Sequence, residues 1–468
     1  MAGNISSLGI GSGVLTADVI DQLKTADTSR IITPIQNKIS FNAKQQEAGS
    51  LLSSLMSSFK ASASALSFDT LFSARTVNVT GLAQVTVDPG ANVESFTLET
   101  TTLAKKDVIQ SGSFADSNVT TVGSSNPADY TGTETLDLSI NGSTYKIPYN
   151  ATTTLDDLAQ AITDGVGGSV KASVLQTGAS AYSLVLTSAT TGANQAITLT
   201  DSGGLLKNEL LAYNATTNPT GYQTIQAATD ASFKYNGIAV TRSTNDISDL
   251  ILGVNISLKS EGDISNVNIK QDTASITDEV QLFVDNYNNL ISNLNDMTAF
   301  DKDTNKKGVF NGNSFVKSIR QDITQTIMKR IGSESLVDYG IDLTRGGTMT
   351  FDKSVLESKL STDPNGTKLF FTGGVDSNGK TKTGLFTEVN DKLKSYTGYG
   401  KLLSTFETNL KTDATNLSEK NSRAQASLDT RYEIMTKRFT AYDGIISKLN
   451  AQFSSLQQII SAQFSSNK

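Results

Sequence analysis

Nine apolar residues near the C-terminus, Tyr432, Met435, Phe439, Tyr442, Ile446, Leu449, Phe453, Leu456 and Ile460, follow one another at alternating spacings of three and four. That is an a/d seam held for about four heptads, the pattern of a helix that must lie against another helix. Unbroken from Thr412 to Phe464, at about 1.5 Å per residue, it makes a rod of roughly 80 Å. The flanks are unusual. Leu449 to Asn467 holds no charged residue, and neither does Met1 to Ala17. Solvated coiled-coil faces carry Glu and Lys at e and g, whereas these carry Ser, Gln and Asn. Both chain ends therefore read as surfaces packed on all sides by other subunits, where a ring of like charges would repel. Alone, they are expected to fray, because a seam without its partner cannot offset the entropy of ordering it.

The rest of the chain has two textures. From residue 14 to about 73 it reads as helix: Val19, Leu23, Ile31, Ile35 and Ile39, then Leu52, Leu55, Phe59 and Leu66, recur near helical spacing. Thr33-Pro34 should bend or restart it, since the residue before proline disfavours α geometry, and Gly49 marks a second break. From Arg75 to about Lys270 the period falls to two. Val77–Val79, Val85–Val87, Phe96–Leu98, Leu136–Ile140, Tyr145–Ile147, Tyr182–Leu186 and Val254–Leu258 read as strands, with Asn141-Gly142 as a hairpin turn. A short helix over Leu155–Ile162 has Thr154 as its cap and Asp156 and Asp157 at its positive end. Helix returns at Thr273, with Ile276, Val280, Phe283, Val284, Tyr287, Leu290 and Leu294 on one face. It recurs over Phe315–Ile331 and Leu385–Leu393, around a β or loop insert at Gly340–Phe351.

These textures give an α+β multidomain fold: terminal coiled-coil or helical-bundle legs with two inserted β-rich domains. The expected divisions are an N-terminal leg segment (1–42), a helical-bundle domain in two parts (43–74 and 273–411) and a β domain in two parts (75–106 and 229–272). An outer β-rich domain (107–228) is inserted in the latter, and a C-terminal coiled-coil leg covers 412–468. At 468 residues the chain suits several cores rather than one.

Composition narrows function by what is missing. There is no Cys, His or Trp, which removes thiolate nucleophiles, imidazole bases and soft metal ligands. No nucleophile–base pair or phosphate-cradling loop is legible, so no catalytic residue and no cofactor is expected. Asp301-Lys302-Asp303-Thr304-Asn305 begins like a calcium loop. It lacks the glycine at position six and the Glu at twelve, and reads as a solvated loop instead. The net charge of −7 and the absence of a basic cluster argue against nucleic acid. No run of about 18 apolar residues argues for membrane insertion. The N-terminus has neither a basic region nor an unbroken apolar core, so it is not read as a cleavable secretory signal. An exported chain threaded unfolded through a pore gains from having no thiols to cross-link.

Several blocks, in order, resemble the flagellar filament cap family, also called hook-associated protein 2. They are Ser6-Ser7-Leu8-Gly9-Ile10-Gly11-Ser12-Gly13, Leu103-Ala104 with Ser111, and Asn236-Gly237 with Ser243, Asn245, Ile247, Asp249 and Gly253–Leu258. Further on come Phe283 with Asn286-Tyr287-Asn288, Gly340-Ile341 with Gly347, Phe351-Asp352 and Leu356, and Arg431-Tyr432 with Phe439 and Asp443. Val14-Leu15 stands where the family usually has Leu-Asp, and Gly312-Asn313 where it often has Gly-Asp. The resemblance implies a secreted protein at the distal tip of the bacterial flagellum, exported by an uncleaved type III signal. Leu8, Gly9, Gly11 and Gly13 would serve export and assembly, and the nine seam residues would assemble the legs. As partners it implies the chain itself, in a homo-oligomeric ring expected as a pentamer, together with flagellin, the hook-filament junction protein and a cytoplasmic export chaperone. Host mucin or glycans are a further candidate for the β domains. The alternatives are an adhesin of the flagellar tip, and a flagellin or hook-filament junction protein. Asn245 reads as a turn and core residue rather than a ligand contact.

Overall fold

The computed structural model describes residues 16–214 and 216–465, and the chain divides into two compact units. One takes both ends of the sequence, up to Leu71 and from Thr273 onward; the other is the middle, Phe72–Asp272. The helices are α1 (Ala17–Ile31), α2 (Thr33–Leu66), α3 (Asp69–Ser73), α4 (Leu155–Gly165) and α5 (Thr273–Thr298). They continue with α6 (Ser314–Ile327), α7 (Lys353–Thr362), α8 (Pro364–Thr372), α9 (Leu385–Tyr396) and α10 (Leu402–Ser465). The fold is α+β and multidomain, with antiparallel sheets in the middle unit and a helical unit made from the two ends.

The middle unit has two cores. A five-stranded antiparallel sheet runs in the order Arg75–Thr80, Ile264–Gln271, Ser95–Thr102, Ala231–Tyr235, Ile238–Arg242. A three-stranded sheet runs Asp246–Ile251, Val254–Ser257, Gln84–Val87. Alternate residues point inward, so Phe96, Leu98, Phe233, Val267 and Ile269 of the first share a core with Val85, Ile247, Val254 and Ile256 of the second. The second core lies wholly in the stretch between Thr102 and Ala231, where Leu136, Leu138, Ile140, Leu184 and Leu186 pack with Leu155, Leu158 and Ile162 of α4. The β-rich insertion is thus nested, and the unit's outermost strands close on each other, Arg75 opposite Gln271.

Local chemistry sets the elements where the sequence said it would. Asn141 and Gly142 take φ of 50° and 73°, the left-handed pair that a two-residue hairpin between Glu134–Ile140 and Ser143–Tyr149 needs. Thr154 caps α4 in a reciprocal box: its hydroxyl accepts from the Asp157 amide, and the Asp157 carboxylate accepts from the Thr154 amide at 3.0 Å. Those hydrogen bonds, from the Thr154 backbone first, hold the Asp157 carboxyl below its ordinary pKa. Two asparagines imitate a strand neighbour. Asn245 accepts from the Ala104 amide at 2.7 Å and donates to the Ala104 carbonyl at 2.9 Å. Asn288 does the same to Met349, at 2.7 and 2.8 Å. Both belong to the family-like blocks, and both are fold-defining.

In the helical unit an aromatic chain joins α2, α5, α8 and α9. Phe59 lies 4.9 Å from Phe283, Phe283 lies 4.8 Å from Phe386, and Phe386 lies 4.8 Å from Phe371. All four are fully buried, each worth roughly 1.5–3 kcal/mol in water removed.

Some expectations need correction. Gly49 is no break, because α2 runs through it. The glycine is buried against α10, and a Cβ there would stand 3.4 Å from Leu410, so its smallness serves close approach of two helices. The restart at Thr33 holds, with Pro34 in the first turn of α2. The helical phase around it differs, however: Ile20 and Ile32 are buried while Val19, Leu23 and Ile31 are exposed. The helix from Phe315 stops at Ile327 instead of Ile331, with Met328 as its cap and Ile331 bridging back to Glu334. Asn365-Gly366, a turn-forming pair by composition, lies instead at the start of α8, where Pro364 opens the helix and the Asp363 carboxylate accepts from the Gly366 amide at 2.8 Å. The insert at Gly340 is a hairpin, Ile341–Leu343 with Met349–Phe351. A Cβ on Gly340, at φ +79°, would stand 2.3 Å from the Asp352 carbonyl, so only glycine fits.

Thr154→Ala is expected to cost about 1 kcal/mol, read as a lower urea midpoint for the middle unit at pH 7. The Asp157 pKa is lowered on folding, so its half of the box contributes fully above the unfolded carboxylate pKa of about 3.9. That half is lost as pH falls through the depressed folded value. The gap between Asp157→Ala and wild type should therefore narrow in acid, and a gap constant from pH 7 to pH 2 would reject the Asp157 half of the box.

Candidate assembly interface

The two ends of the chain meet as antiparallel helices. Along α2 and α10, the Asn42 side chain donates to the Leu410 carbonyl at 3.2 Å and the Ser53 hydroxyl donates to Glu407 at 2.5 Å. Phe406 of α10 packs on Phe310 and on Phe315 of α6, at 5.3 and 5.0 Å. Further along, α1 takes over: Ile20 and Ile32 form a small core with Leu428 and Tyr432, edged by Ala424, Met435 and Phe439. Polar contacts fix the register. Lys24 pairs with Asp429 at 2.8 Å, Arg431 with Asp27 at 3.3 Å, and the Tyr432 hydroxyl donates to Asp27 at 3.0 Å. Burial, followed by the Asp27 carboxylate, pushes the Tyr432 hydroxyl's pKa up, and Lys24 holds Asp429 below the carboxylate range. The charged pairs are exposed and screened by solvent, so they contribute little; the apolar cluster does more.

Beyond Phe439 the helix continues for more than six turns with its apolar face uncovered. Tyr442 is 55 % exposed, Phe453 71 % and Leu456 58 %, and Leu449 and Ile460 are also exposed, while Ile446 is half-buried. The nine seam residues therefore divide. Tyr432, Met435 and Phe439 lie on α1, and the other six lie along the distal stretch. The a/d reading also missed part of the face: Ile445 and Ile459, one residue before Ile446 and Ile460, are exposed too. They occupy g positions, and the doublets Ile445-Ile446 and Ile459-Ile460 were the available signal. A stripe widened from a/d to a/d/g covers more of the helix than a two-stranded seam buries. The charged partners of Arg431 and Tyr432 on α1 were also missed, since nothing in their spacing marks a contact some 400 residues away.

Leu8, Gly9, Gly11 and Gly13 lie outside the described residues. The Asp301 loop is self-contained: its carboxylate accepts from the Asp303 and Thr304 amides at 2.9 and 3.3 Å. Among the described residues no group of three His, Cys, Asp or Glu could hold a metal ion, and no helix is long and apolar enough to cross a membrane.

The chain is similar to flagellar proteins. Residues 12–107 match the family description "Flagellar hook-associated protein 2 N-terminus", and residues 228–451 match the corresponding C-terminus. Residues 135–190 match "Flagellin hook IN motif". Flagellar hook-associated protein 2 of Campylobacter jejuni is 32% identical over 79% of this chain and 64% of its own length. That of Helicobacter pylori J99 is 36% identical over half of this chain and 36% of its own length. The chain thus spans between about a third and two thirds of these two relatives. The Escherichia coli K12 protein of the same name is 27% identical over 99% of both chains. Among solved structures, the D1-D2-D3 domains of the E. coli flagellar cap protein FliD superpose with a TM-score of 0.55 at 24% identity. They cover 78% of this chain and 99% of that one, a likeness of fold.

Leu428→Ala should open the α1 contact locally, since a large-to-small change in a packed cluster costs about 2–5 kcal/mol. Hydrogen exchange on dilute full-length protein is expected to show α1 amides losing protection in this variant, with Leu52–Ala63 of α2 unchanged. In wild type, residues 445–463 should exchange far faster than residues 403–432. Uniform protection along α10 would mean the distal stripe needs no partner.

Proposed function

The chain belongs to the flagellar hook-associated protein 2 family, and on that premise we propose that it is a structural capping protein at the distal end of the bacterial flagellar filament, outside the cell. The observation that carries this reading is the distal half of α10: an apolar stripe, without charge from Leu449 to Ser465, on a helix whose nearer half is firmly docked. A helix so built is stable only when bundled. A leg that must seat among filament subunits needs that property, and an enzyme scaffold does not.

In this reading the chain's first partner is itself, in a closed homo-oligomeric ring, a pentamer as the family resemblance implies. The β-rich middle units form the plate of the ring. The seam residues from Tyr442 to Ile460 seat the legs against one another and against flagellin, beneath which an arriving flagellin folds and inserts without leaking away. Leu8, Gly9, Gly11 and Gly13 serve export and assembly. The hook-filament junction protein is the first surface met on leaving the channel, and a cytoplasmic chaperone would cover the apolar stripe until then. The role is structural rather than catalytic: the tyrosines with raised pKa, such as Tyr339 and Tyr396, owe it to burial first and to carboxylates they donate to second, inside packed cores.

Deleting residues 429–468 tests this. The middle unit and the α2–α5 core should melt as in the full chain. Cells carrying only the truncated chain should release flagellin monomers and grow no filaments. Filaments of ordinary length would overturn the leg assignment.

A further inference from the structure

The helical unit carries a knob and a socket of matching size at opposite ends of one helix pair. The knob is Tyr399, fully exposed between Gly398 and Gly400, both at positive φ, with exposed Leu402 beside it. A tyrosine held out on a glycine-flanked turn removes no apolar surface from water within its own chain, so folding alone does not account for it. The socket is an apolar pocket of about 260 Å³ formed by Ile327 and Met328 at the end of α6, Val337, and Leu343 and Met349 of the hairpin. It lies below the range of roughly 300–1,000 Å³ typical of small-molecule sites, and it suits a single aromatic side chain. Met328 and Val337 on its rim are exposed, an arrangement that leaves apolar surface in water unless something covers it.

The two features cannot meet within one subunit. Helix α9 runs antiparallel to α6: Lys329 pairs with Glu388, Lys392 with Asp322, and the Tyr396 ring lies 6.4 Å from that of Phe315. Tyr399 follows Tyr396 and so stands by the N-terminal end of α6, whereas the socket sits at its C-terminal end, about 20 Å away at 1.5 Å per residue. Charge on the rim is mixed: Arg330 and Asp342 both line the socket, and Arg330 donates to the Ser333 carbonyl. Asp342 and Lys401, two residues from the knob, are both exposed, and neither is in an ion pair among the described residues.

We propose that Tyr399 of one copy inserts into the Met328–Val337–Leu343 socket of the next copy, with Lys401 facing Asp342 across the rim. A contact between two different patches of the same chain is head-to-tail, the type that generates rings when its rotation closes. It rests on the reading of the chain as a ring-former only for that closure.

The full chain has no cysteine, which makes cross-linking clean. The double variant Tyr399→Cys with Val337→Cys should, on mild oxidation, give a ladder of covalent oligomers ending at one closed species. Leu175→Cys with Val337→Cys, an exposed position in the other unit, should give none. In sedimentation velocity, Tyr399→Ala should weaken self-association at least tenfold with an unchanged melting curve. Lys401→Asp and Asp342→Lys should each weaken it, and together restore it. Wild-type self-association with no ladder and no effect of Tyr399→Ala would overturn this interface and leave the ring reading standing. Wild type that stays monomeric at high concentration would overturn both.

Discussion

The structure depends on one long-range contact, the antiparallel packing of α2 against α10. Asn42 meets Leu410 across 368 residues of intervening chain, and Ser53 meets Glu407 across 354. Closing so long an excursion is less costly than its length implies, because loop entropy grows logarithmically, by about 0.6 kcal/mol per doubling. The helical core, with Phe59, Phe283 and Phe386 sealed between its layers, offsets it many times over. The excursion is also self-closing: Arg75–Thr80 pairs with Asn266–Gln271, so the middle unit returns the chain to where it left. The same device recurs inside, where the second β core lies entirely between two strands of the first sheet. Nesting by closed insertions lets each unit keep its own core.

The periodicities carried most of this into the sequence. A two-residue period marked the strands, and Asn141-Gly142 and Thr154 worked as punctuation because their chemistry is local. Helix α10 was legible because nine apolar residues kept one rhythm. What failed was everything decided by distant neighbours. Gly49 looks like a breaker until Leu410 is placed beside it. The buried phase of α1 is Ile20 and Ile32 because α10 presents Leu428 and Tyr432 there, and no local pattern separates that phase from Val19 and Leu23. Helices α7 and α8 went unseen since Asp363-Pro364-Asn365-Gly366 has turn composition, and its helix-starting role rests on one cap. At the candidate interface the seam was readable and its division was not, because which third of it meets α1 is a fact about the N-terminal arm.

Along α10 the character of the surface changes in one direction. Near Leu410 it is clamped by the helical core, and near Tyr432 by a small apolar cluster with charged edges. Past Lys448 it is apolar on one face and neutral on the others. Ion pairs such as Lys24–Asp429 weaken with salt and distance, so they can fix register without welding the arm. The neutral stretch has no such aid and no like-charge penalty either. Copies of it can lie side by side at a spacing where charged faces would repel. Under the proposed function the same sequence would be poorly ordered alone and well suited to a crowd of itself, with its stability belonging to the assembly.

The two proposed self-association surfaces differ in kind: a long apolar stripe that would seat legs, and a small knob-and-socket contact between neighbouring helical units. A single inserted tyrosine with one rim ion pair is a weak contact, and a frayed helix end is a weak one too. Linked in the same molecule, each raises the effective concentration of the other, so the pair holds far better than either while any one contact still opens readily. In the proposed role, gripping a growing tip and still shifting as each subunit arrives, the chain could not rest on one large dry interface, whose dissociation would be all or none. Dividing the grip between a stripe that slides by turns and a socket that releases singly reconciles holding with moving.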